Sequence, residues 1–508
     1  MIEKTNKNDW PLVRFVIPAF PEVNIFTRQA KKTTALGPIM VATVANKLWG
    51  WRVEVIDENN YKRGPRDKQD LPDHLTLQRE NPAAVVGFYC GLTSTMERVW
   101  NLAEFYRQVK VATIAGGWHA HYLPEETLNH HIDVVVHGEA EIVIKQILVS
   151  ISENRPFDHI PGISYRKDNE IKRNLPNRLE TLDLDDLPYP DFGLVKYAKI
   201  KIYPINLMRG CGQGCEFCCV RGKPRWSNPQ HFFEIVDWLV KTRRAKKFFI
   251  IDDRFEEDKK RAIEFFRLVK TRYGNRLHFL VQIRLDAAED IEFVKEMAEA
   301  GVKIVYVGFE SPIDEDLTAM NKGYTSAKMF EWAKILTKYF WVHEMFMFGY
   351  PPKQNERTFS AQEMERRFRV FIRKTNPFSV QVLKTTPCPG TPLWRRLEKA
   401  GRIFPLEIVP WSRYDGNHVC FKPDNMSVRE LQEIPKKLMS RFYNLWGLIR
   451  IPLRIIPGGI YLIRGWKYWY RGWRRDVIKY GGHRLLQQWQ KKQKGSEFIK
   501  ELEGYQPK

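Results

Sequence analysis

The chain has 508 residues, which is enough for two or three domains that each bury a hydrophobic core. Its formal net charge of +22 is high for an enzyme of small molecules and predicts contact with an anionic partner, either nucleic acid or a membrane face. The seven cysteines are odd in number and most of them crowd together, which argues against a secreted protein held by disulfides. We find no apolar signal core and no run of about eighteen apolar residues, and therefore expect a cytoplasmic, reducing location.

The first 150 residues alternate short apolar runs with amphipathic stretches. The stretches Leu36–Leu48, Thr95–Gln108 and Glu139–Ile151 predict helices. Strands that alternate with helices predict an α/β domain with a doubly wound, flavodoxin-like sheet, which we assign to residues 1–150. The predicted strands are Arg14–Pro18, Val53–Asp57, Ala84–Tyr89, Ala112–Gly116 and Asp133–Val136.

Small and polar residues follow the last three of these strands, at the edge where sheets of this kind bind ligands. The phrases Ala115-Gly-Gly-Trp-His119 and Val136-His-Gly-Glu-Ala-Glu141 resemble the glycine turns of cobalamin-binding domains. The resemblance implies a cobalamin site, and a flavodoxin-like fold without a ligand is the alternative. The implied cobalamin-binding residues are Gly91, Ser94, Thr95, Gly116, Gly117, His119, Gly138 and Glu139.

The chain lacks one feature of some cobalamin domains, the Asp-x-His-x-x-Gly motif whose histidine ligates cobalt. His119 and His121 follow the double glycine but stand outside such a motif. We therefore expect that the cobalt takes no histidine ligand from that motif.

Residues 151–198 are rich in proline, aspartate and asparagine and predict a linker, as in Leu187-Pro-Tyr-Pro-Asp191. The predicted strand Ile202–Leu207 then leads into a glycine-rich loop that carries Cys211, Cys215 and Cys218. Iron–sulfur clusters normally take four protein thiolates, so three thiolates leave one iron open to a small molecule. A zinc site that adds Cys219 is the alternative, although adjacent cysteines fit tetrahedral zinc poorly.

This CxxxCxxC loop resembles the signature of the radical S-adenosylmethionine (SAM) superfamily. The resemblance implies a [4Fe-4S] cluster on Cys211, Cys215 and Cys218, with the amino and carboxylate groups of SAM on the fourth iron. It also implies that one electron from the cluster splits SAM into methionine and a 5′-deoxyadenosyl radical. Phe217 resembles the aromatic residue beside the adenine, and a core phenylalanine is an equally good interpretation.

Strand-like runs recur after the cysteine loop and, with Ile202–Leu207, predict the six-strand partial (β/α) barrel of radical SAM enzymes over residues 199–395. Active residues of such barrels lie at the carboxyl ends of strands. Four polar residues in these positions resemble SAM contacts of the family: Asp252, Asp253, Glu310 and Ser311. Arg284 ends another strand, and its guanidinium suits a carboxylate. A satisfied surface ion pair is the alternative for the arginine and the glutamate. The other predicted strands are Lys247–Ile251, His278–Gln282, Lys303–Val307, Glu344–Phe348 and Ser379–Leu383.

The segment Thr386-Pro-Cys-Pro-Gly390-Thr-Pro resembles the turn after the last barrel strand of cobalamin-type members. Its third position is more often aromatic in that family. Cys388 is therefore a candidate catalytic thiol that faces the substrate, and a small buried residue is the alternative.

Residues 396–508 predict a mostly helical C-terminal region, in which tryptophans stand among many arginines and lysines from about residue 441 to residue 494. This composition suits a bilayer interface, which predicts attachment to the inner membrane face. A solvated helical cap and a single-strand nucleic-acid groove are the alternatives. Methylthiolating radical SAM enzymes carry three further cysteines in an amino-terminal domain, and this chain has only Cys90 before Cys211, which argues against RNA modification.

The whole pattern resembles cobalamin-dependent radical SAM enzymes of hydrophobic substrates, such as hopanoid methylases and the anaerobic magnesium-protoporphyrin ester cyclase. It implies methylation of an unactivated carbon in a lipid or polyisoprenoid, with electrons from a donor of the flavodoxin or ferredoxin type. Radical ring formation or carbon–carbon coupling without methyl transfer is one alternative. A non-catalytic cobalamin or redox sensor is another.

Overall fold

The computed structural model describes residues 7–21, 30–176, 182–220, 222–353, 358–445, 466–492 and 496–505. The chain forms two compact units. The first comprises residues 1–22, 26–208 and 225–249, and the second comprises residues 23–25, 209–224 and 250–508.

The strands of the described residues are β1 Leu12–Ile17, β2 Arg52–Asp57, β3 Ala83–Tyr89, β4 Ala112–Gly116, β5 Val134–Val136, β6 Ile163–Lys167, β7 Glu170–Arg173, β8 Val195–Lys196, β9 Tyr203–Ile205, β10 Met208–Arg209, β11 Arg225–Trp226, β12 Lys247–Ile250, β13 His278–Ile283, β14 Val302–Glu310, β15 Trp341–Phe348 and β16 Ser379–Lys384. The α-helices are α1 Leu36–Ala45, α2 His74–Glu80, α3 Met96–Gln108, α4 Trp118–Tyr122, α5 Pro124–Asn129, α6 Ala140–Ser152, α7 Pro229–Arg243, α8 Lys259–Tyr273, α9 Ile291–Glu299, α10 Asp314–Ala319, α11 Ser326–Tyr339, α12 Ala361–Thr375, α13 Pro392–Lys399, α14 Val428–Phe442, α15 Trp466–Lys492 and α16 Ser496–Gly504.

The first unit is built on an eight-stranded sheet in the order β7-β6-β5-β4-β3-β1-β2-β8. All six residues of β1 are buried, as a central strand covered on both faces requires. β1 pairs in parallel with β2 and β3, and β3, β4 and β5 continue the parallel ladder. The order 2-1-3-4-5 confirms the predicted flavodoxin-like, doubly wound domain.

The predicted linker over residues 151–198 needs a correction, because it supplies three strands of this sheet. β6 and β7 form an antiparallel hairpin on β5, and β8 pairs with β2 at the opposite edge. The hairpin turns at Asp168 and Asn169, which have positive φ angles of 52° and 65°. Both residue types tolerate that conformation, so the composition that suggested a linker marks a hairpin turn.

A six-stranded sheet in the order β16-β15-β14-β13-β12-β9 follows the chain order of the predicted barrel. β13, β14, β15 and β16 pair in parallel. Along β15 the residues alternate between partly buried and fully buried, and the buried set packs outward: Phe346 and Phe348 contact Phe368 of α12. The partly buried set therefore forms the inner wall of the sheet.

The described part of the C-terminal region is mostly helical, as predicted, although residues 400–427 form no α-helix. Basic side chains of α15 pack against the second unit: the Arg474 guanidinium lies 4.6 Å from the Trp341 ring, and the Lys479 ammonium lies 4.6 Å from the Phe442 ring. These contacts match the helical-cap alternative for this part of the region. Residues 446–465 and the side chains of Trp466, Trp469 and Trp489 lie outside the described residues. None of the described helices is long and apolar enough to cross a bilayer.

Candidate functional site

The three predicted cluster ligands lie on a loop whose backbone depends on glycine. Gly210, Gly212 and Gly214 have φ angles of 86°, 74° and 68°, in the region that other residues rarely adopt. A Cβ atom on Gly210 would stand 2.5 Å from the Lys223 carbonyl oxygen, where the two ends of the loop approach each other. The glycines between the cysteines are therefore a requirement of the loop itself.

One hydrogen bond within the loop favours a thiolate at Cys218, and a second orders the backbone. The backbone N–H of Val220 donates to Cys218 Sγ at 3.3 Å, and the Cys218 N–H donates to the Cys215 carbonyl at 3.2 Å. Cys215 is buried, and Cys211 and Cys218 are partly exposed. Burial raises the pKa of Cys211, and the nearby guanidinium of Arg254 opposes that rise.

The segment after β12 holds the cysteine loop in place. The carboxylate of Asp253 accepts a hydrogen bond from the Gly210 N–H at 2.8 Å, which occupies part of a side chain predicted to contact SAM. The side-chain amide of Gln213, inside the loop, lies next to Arg254: with its oxygen turned toward the guanidinium, the amide accepts from the two terminal nitrogens of Arg254 at 3.0 and 3.1 Å. Asp252 is buried beside them at 1 % exposure. This segment therefore positions the cluster loop as well as bordering it.

A buried lysine, which the sequence alone did not reveal, completes the site at the end of β14. Lys322 Nζ donates to Glu310 Oε1 at 3.0 Å and lies 5.9 Å from the ring of Phe217. Burial opposes its charge, but Glu310, Tyr324 and Cys215 raise its pKa. Lys322 thus brings a positive charge close to the predicted cluster. An Asn-Lys-Gly turn after a short helix is its only sequence signal.

Glu310 ends β14 at a β-bulge and has a φ angle of 62°, which is rare for a residue other than glycine. Strained backbone of this kind concentrates at functional sites. The observation supports Glu310 as a contact residue, and its ion pair with Lys322 fixes the position of the carboxylate.

Arg284 and Ser311 already have protein partners. Arg284 forms a two-nitrogen ion pair with Asp286, at 2.9 and 3.2 Å, and donates to the Lys322 carbonyl at 3.3 Å. The Ser311 hydroxyl donates to Asp316 at 2.6 Å and accepts from the Ile313 N–H at 3.2 Å. Contacts of these two residues with SAM stay predictions, since each side chain has a structural task next to the site.

Two further residues stand beside the predicted contacts. Burial raises the pKa of Glu256, three residues after Asp253, to about 7, which favours a neutral carboxyl group. Its sequence signal is weak, because the segment after β12 contains several acids. A hydrogen bond with Cys219 lowers the pKa of Cys388, although burial opposes the change. The thiol of Cys388 therefore contacts a second cysteine, and its role toward the substrate stays a prediction.

In the first unit, the predicted cobalamin residues lie at the carboxyl ends of the neighbouring strands β3, β4 and β5. Gly117 has a φ angle of 124°, and a Cβ atom there would stand 2.6 Å from the Cys90 carbonyl carbon and 2.7 Å from the Gly91 nitrogen. Gly138 has a φ angle of 83° and open space around it. The glycines keep this edge bare, as a large planar ligand requires.

The polar residues of this edge mostly support it. Ser94 and Thr95 are buried in a 3-10 turn, where the Thr95 hydroxyl donates to the Leu92 carbonyl at 2.8 Å. His119 is fully buried, with Nδ1 3.4 Å from the Thr93 hydroxyl and Nε2 3.2 Å from Glu126. Both ring nitrogens of His119 are therefore engaged inside the protein.

Glu139 belongs to the same edge and is held by an arginine. Its two carboxylate oxygens accept from Arg225 at 2.8 and 3.0 Å, and Arg225 also donates to the Leu182 carbonyl at 2.9 Å. Arg225 directly follows the cysteine loop in sequence.

The residues present fit the cofactors that the sequence predicts. Among the described residues, no three His, Cys, Asp or Glu side chains converge on a point where one metal ion could bind. Thiolates that each bind a different iron of a cluster need not converge on one point. Three thiol ligands and adjacent cationic groups suit an anionic iron–sulfur cluster, and the glycine edge suits cobalamin.

Comparison with known proteins supports both assignments. The family model of the radical SAM superfamily matches residues 205–360, and that of the B12 binding domain matches residues 27–148. An uncharacterised methyltransferase of Pyrococcus horikoshii is 27% identical over 366 residues, 69% of this chain and 77% of the relative.

Two further relatives are named for the reaction that they catalyse. Bacteriochlorophyllide d C-8(2)-methyltransferase of Chlorobaculum tepidum is 24% identical and aligns with 66% of this chain and 73% of its own length. Hopanoid C-2 methylase of Rhodopseudomonas palustris is 25% identical and aligns with 44% and 43% of the two chains.

Solved structures share the fold. The cobalamin-dependent radical SAM enzyme OxsB with aqua-cobalamin bound superposes with a TM-score of 0.65 at 13% identity, over 97% of this chain and 75% of that one. The methyltransferase TsrM from Kitasatospora setae, with cobalamin and a [4Fe-4S] cluster bound, gives a TM-score of 0.60 at 17% identity, over 80% and 81%. With two family models, a cluster loop and a glycine-lined sheet edge in one chain, the protein is a radical SAM enzyme with an amino-terminal cobalamin-binding domain.

Proposed function

We propose that the enzyme transfers a methyl group to an unactivated carbon of a hydrophobic substrate, a lipid or polyisoprenoid. The observation that carries this proposal is the union of a B12 binding domain and a radical SAM domain in one chain. The relatives named as methyltransferases support methyl transfer. Two of them are named for hydrophobic molecules, a hopanoid and a bacteriochlorophyllide, which supports the substrate class.

The inner wall of β15 and β16 supports the same substrate class. Met345, Met347 and Leu383 are partly buried on the face that does not pack against helices, and β15 and β16 pair in register so that Met347 stands beside Leu383. A polar row lies one step below, where His343 contacts Ser379 at 2.7 Å and Gln381 at 3.2 Å. This wall offers flexible apolar contact above a hydrogen-bonded floor.

The residues divide the work. Cys211, Cys215 and Cys218 would hold the cluster, Glu310 and Lys322 would border SAM, and the bare edge around Gly117 would hold cobalamin. When bound, these groups supply a hydrogen-abstracting radical and a methyl carrier. The overall change uses two SAM molecules and two electrons from the external donor. One SAM provides the methyl group and leaves as S-adenosylhomocysteine, and the other is cleaved to methionine and takes the substrate hydrogen as 5′-deoxyadenosine. The product then exceeds the substrate by one CH2.

We place the enzyme in the cytoplasm at the inner membrane face, with a donor of the flavodoxin or ferredoxin type as its electron source. The net charge of +22 supports an anionic surface as partner. Arg474 and Lys479 of α15 pack on the protein itself, so the support for membrane attachment comes from composition.

The test is mass spectrometry of total lipids from anaerobic cells with the gene, without it, and with the Cys211→Ala variant. We expect a species heavier by one CH2 in the first cells only, and the added methyl group of this species should carry the label of methyl-labelled SAM. A product that has lost two hydrogens and carries no label would replace methyl transfer by ring closure or coupling. An unchanged lipid profile would overturn the hydrophobic substrate.

A further inference from the structure

Glu216, between the second and third predicted cluster ligands, is the centre of a hydrogen-bond network that no cofactor assignment uses. Its carboxylate accepts two bonds from Arg396 of α13, at 2.8 Å from Nε to Oε1 and 3.0 Å from Nη2 to Oε2. The Tyr350 hydroxyl donates to Oε2 at 2.5 Å. Three donors thus converge on one side chain that is only 11 % exposed.

The backbone of Glu216 is fixed as well. Its N–H donates to the Met320 carbonyl at 3.2 Å, just after α10, and its carbonyl accepts from the Leu393 N–H of α13 at 3.2 Å. Arg396 extends the network by donating to the carbonyls of Pro351 and Pro352 at 3.0 Å each. The cysteine loop, the turn after β15, the end of α10 and the start of α13 therefore meet at this one residue.

The geometry makes the network rigid. Two parallel bonds between a guanidinium and a carboxylate fix direction as well as distance, and ionised partners strengthen each bond. Arg396 is partly exposed and Tyr350 is buried, so water only partly screens the ion pair between Glu216 and Arg396. The network therefore resists changes in the backbone conformation of the cysteine loop around Glu216.

The loop needs such a support, because its glycines lose more conformational freedom on ordering than other residues do. A site works only when its ligands are held close to the productive geometry by their surroundings. Cys215 and Cys218 are separated from Glu216 by one and two positions, so a shift of Glu216 moves both.

We propose that Glu216 is a positioning residue, which, through Arg396 and Tyr350, locks the loop that carries Cys215 and Cys218 and so keeps the iron–sulfur cluster in place. Glu216 itself acts through the backbone and through its two partners, away from the reacting atoms. The proposal rests on the cluster assignment and is independent of the identity of the methyl acceptor.

The test compares Glu216→Ala, Glu216→Gln and Tyr350→Phe with the parent enzyme, without any substrate. In the cluster-loaded proteins, release of iron to a chelator should be about tenfold faster for Glu216→Ala, because charge-assisted bonds are lost. Glu216→Gln should fall between that variant and the parent, and Tyr350→Phe should lie nearest the parent. The order follows the number and strength of the bonds that each variant removes.

A second measurement uses the protein without its cluster. Hydrogen–deuterium exchange of the peptide that contains Cys215 and Cys218 should be faster in the Glu216 variants, while peptides of the first unit keep the parent rate. The control is Arg366→Lys, which changes an exposed two-nitrogen pair with Glu363 on α12, at 2.7 and 2.8 Å. It should alter neither loop exchange nor iron release.

Parent-like iron release and loop exchange in all three variants would overturn the proposal. A uniform rise in exchange across the second unit would also overturn it, since that result indicates general destabilisation. If Glu216→Ala fails to fold, the comparison of Glu216→Gln with Tyr350→Phe decides. If the parent enzyme formed no methylated product in the lipid experiment but the variants released iron in the expected order, the proposed function would fail and the role of Glu216 would stand.

Discussion

Lys384, at the end of β16, is an ionisable residue that lies buried in the outer wall of the barrel. Its side chain is 2 % exposed and follows the buried outward-facing residues Val380 and Val382. Burial, together with the nearby ammonium of Lys436, lowers its pKa from 10.5 to about 7. The folded protein therefore disfavours the charged form of this lysine, and a neutral side chain of similar length should stabilise the protein.

The sign and size of the effect follow from linkage. The pKa of Lys384 is lower in the folded protein than in the unfolded chain. Below pH 7 both states bind the proton, so the folded protein bears the full free-energy cost of burying the charged ammonium. For a shift of this size that cost is at most about 5 kcal/mol. Between pH 7 and 10.5 the unfolded state holds more protons, so the stability of the parent protein rises with pH. Lys384→Met removes this dependence. Its advantage should be largest at or below pH 7 and fall to about 1 kcal/mol at pH 9.5.

Thermal unfolding of the cofactor-free proteins between pH 6 and pH 9.5 measures this difference. Near pH 6 we expect the variant to melt roughly 10 °C above the parent, at about 2–4 °C per kcal/mol for a unit of this size. Lys399→Met, a change of an exposed lysine on α13, is the matched control and should give a small, flat difference. A difference for Lys384→Met that is independent of pH, or that grows as the pH rises, would refute the argument.

Three further variants test other parts of the structure. Gly117→Ala should lose bound cobalamin, measured by its absorbance, because a Cβ atom would stand 2.6 Å from the Cys90 backbone; full retention would contradict this. Glu256→Gln should be more stable than the parent by up to about 3 kcal/mol above pH 7, and by little near pH 4.5. Burial raises the pKa of Glu256 in the folded protein to about 7, so the stability of the parent falls as the pH rises to that value. Ser311→Ala should destabilise the protein by about 1–3 kcal/mol and so lower its melting temperature, because Asp316 loses a buried hydrogen-bond partner. An unchanged melting temperature would exclude that structural role.

The fold was largely predictable because its strands carry strong local signals. The runs ATIAG and SVQVL lie within one residue of β4 and β16, since apolar residues flanked by glycine or polar residues mark a buried parallel strand. The linker shows where this logic ends. β8 has only two residues and β7 has no fully buried residue, so neither carries an apolar pattern that could distinguish it from a loop.

The cluster loop was predictable for a different reason, because its ligands are contiguous in sequence. The groups that hold the loop in place are far from it in sequence. Arg396 lies 180 positions from Glu216, and Tyr350 lies 134 positions away. Single charged residues at such separations carry no spacing that a sequence could reveal, and only the barrel brings the turn after β15 and the start of α13 next to the loop.

Charge at the site follows a consistent logic once these contacts are known. A cluster on three thiolates is anionic, and its fourth iron is predicted to meet a carboxylate of SAM. Lys322, Arg254 and Arg284 each interact electrostatically with a cysteine of the loop. Each also has a protein partner that fixes its direction: Glu310, Gln213 and Asp286. Because these partners order the cations before any ligand arrives, the site bears the entropic cost of positioning them on folding, and binding of SAM need not bear it again.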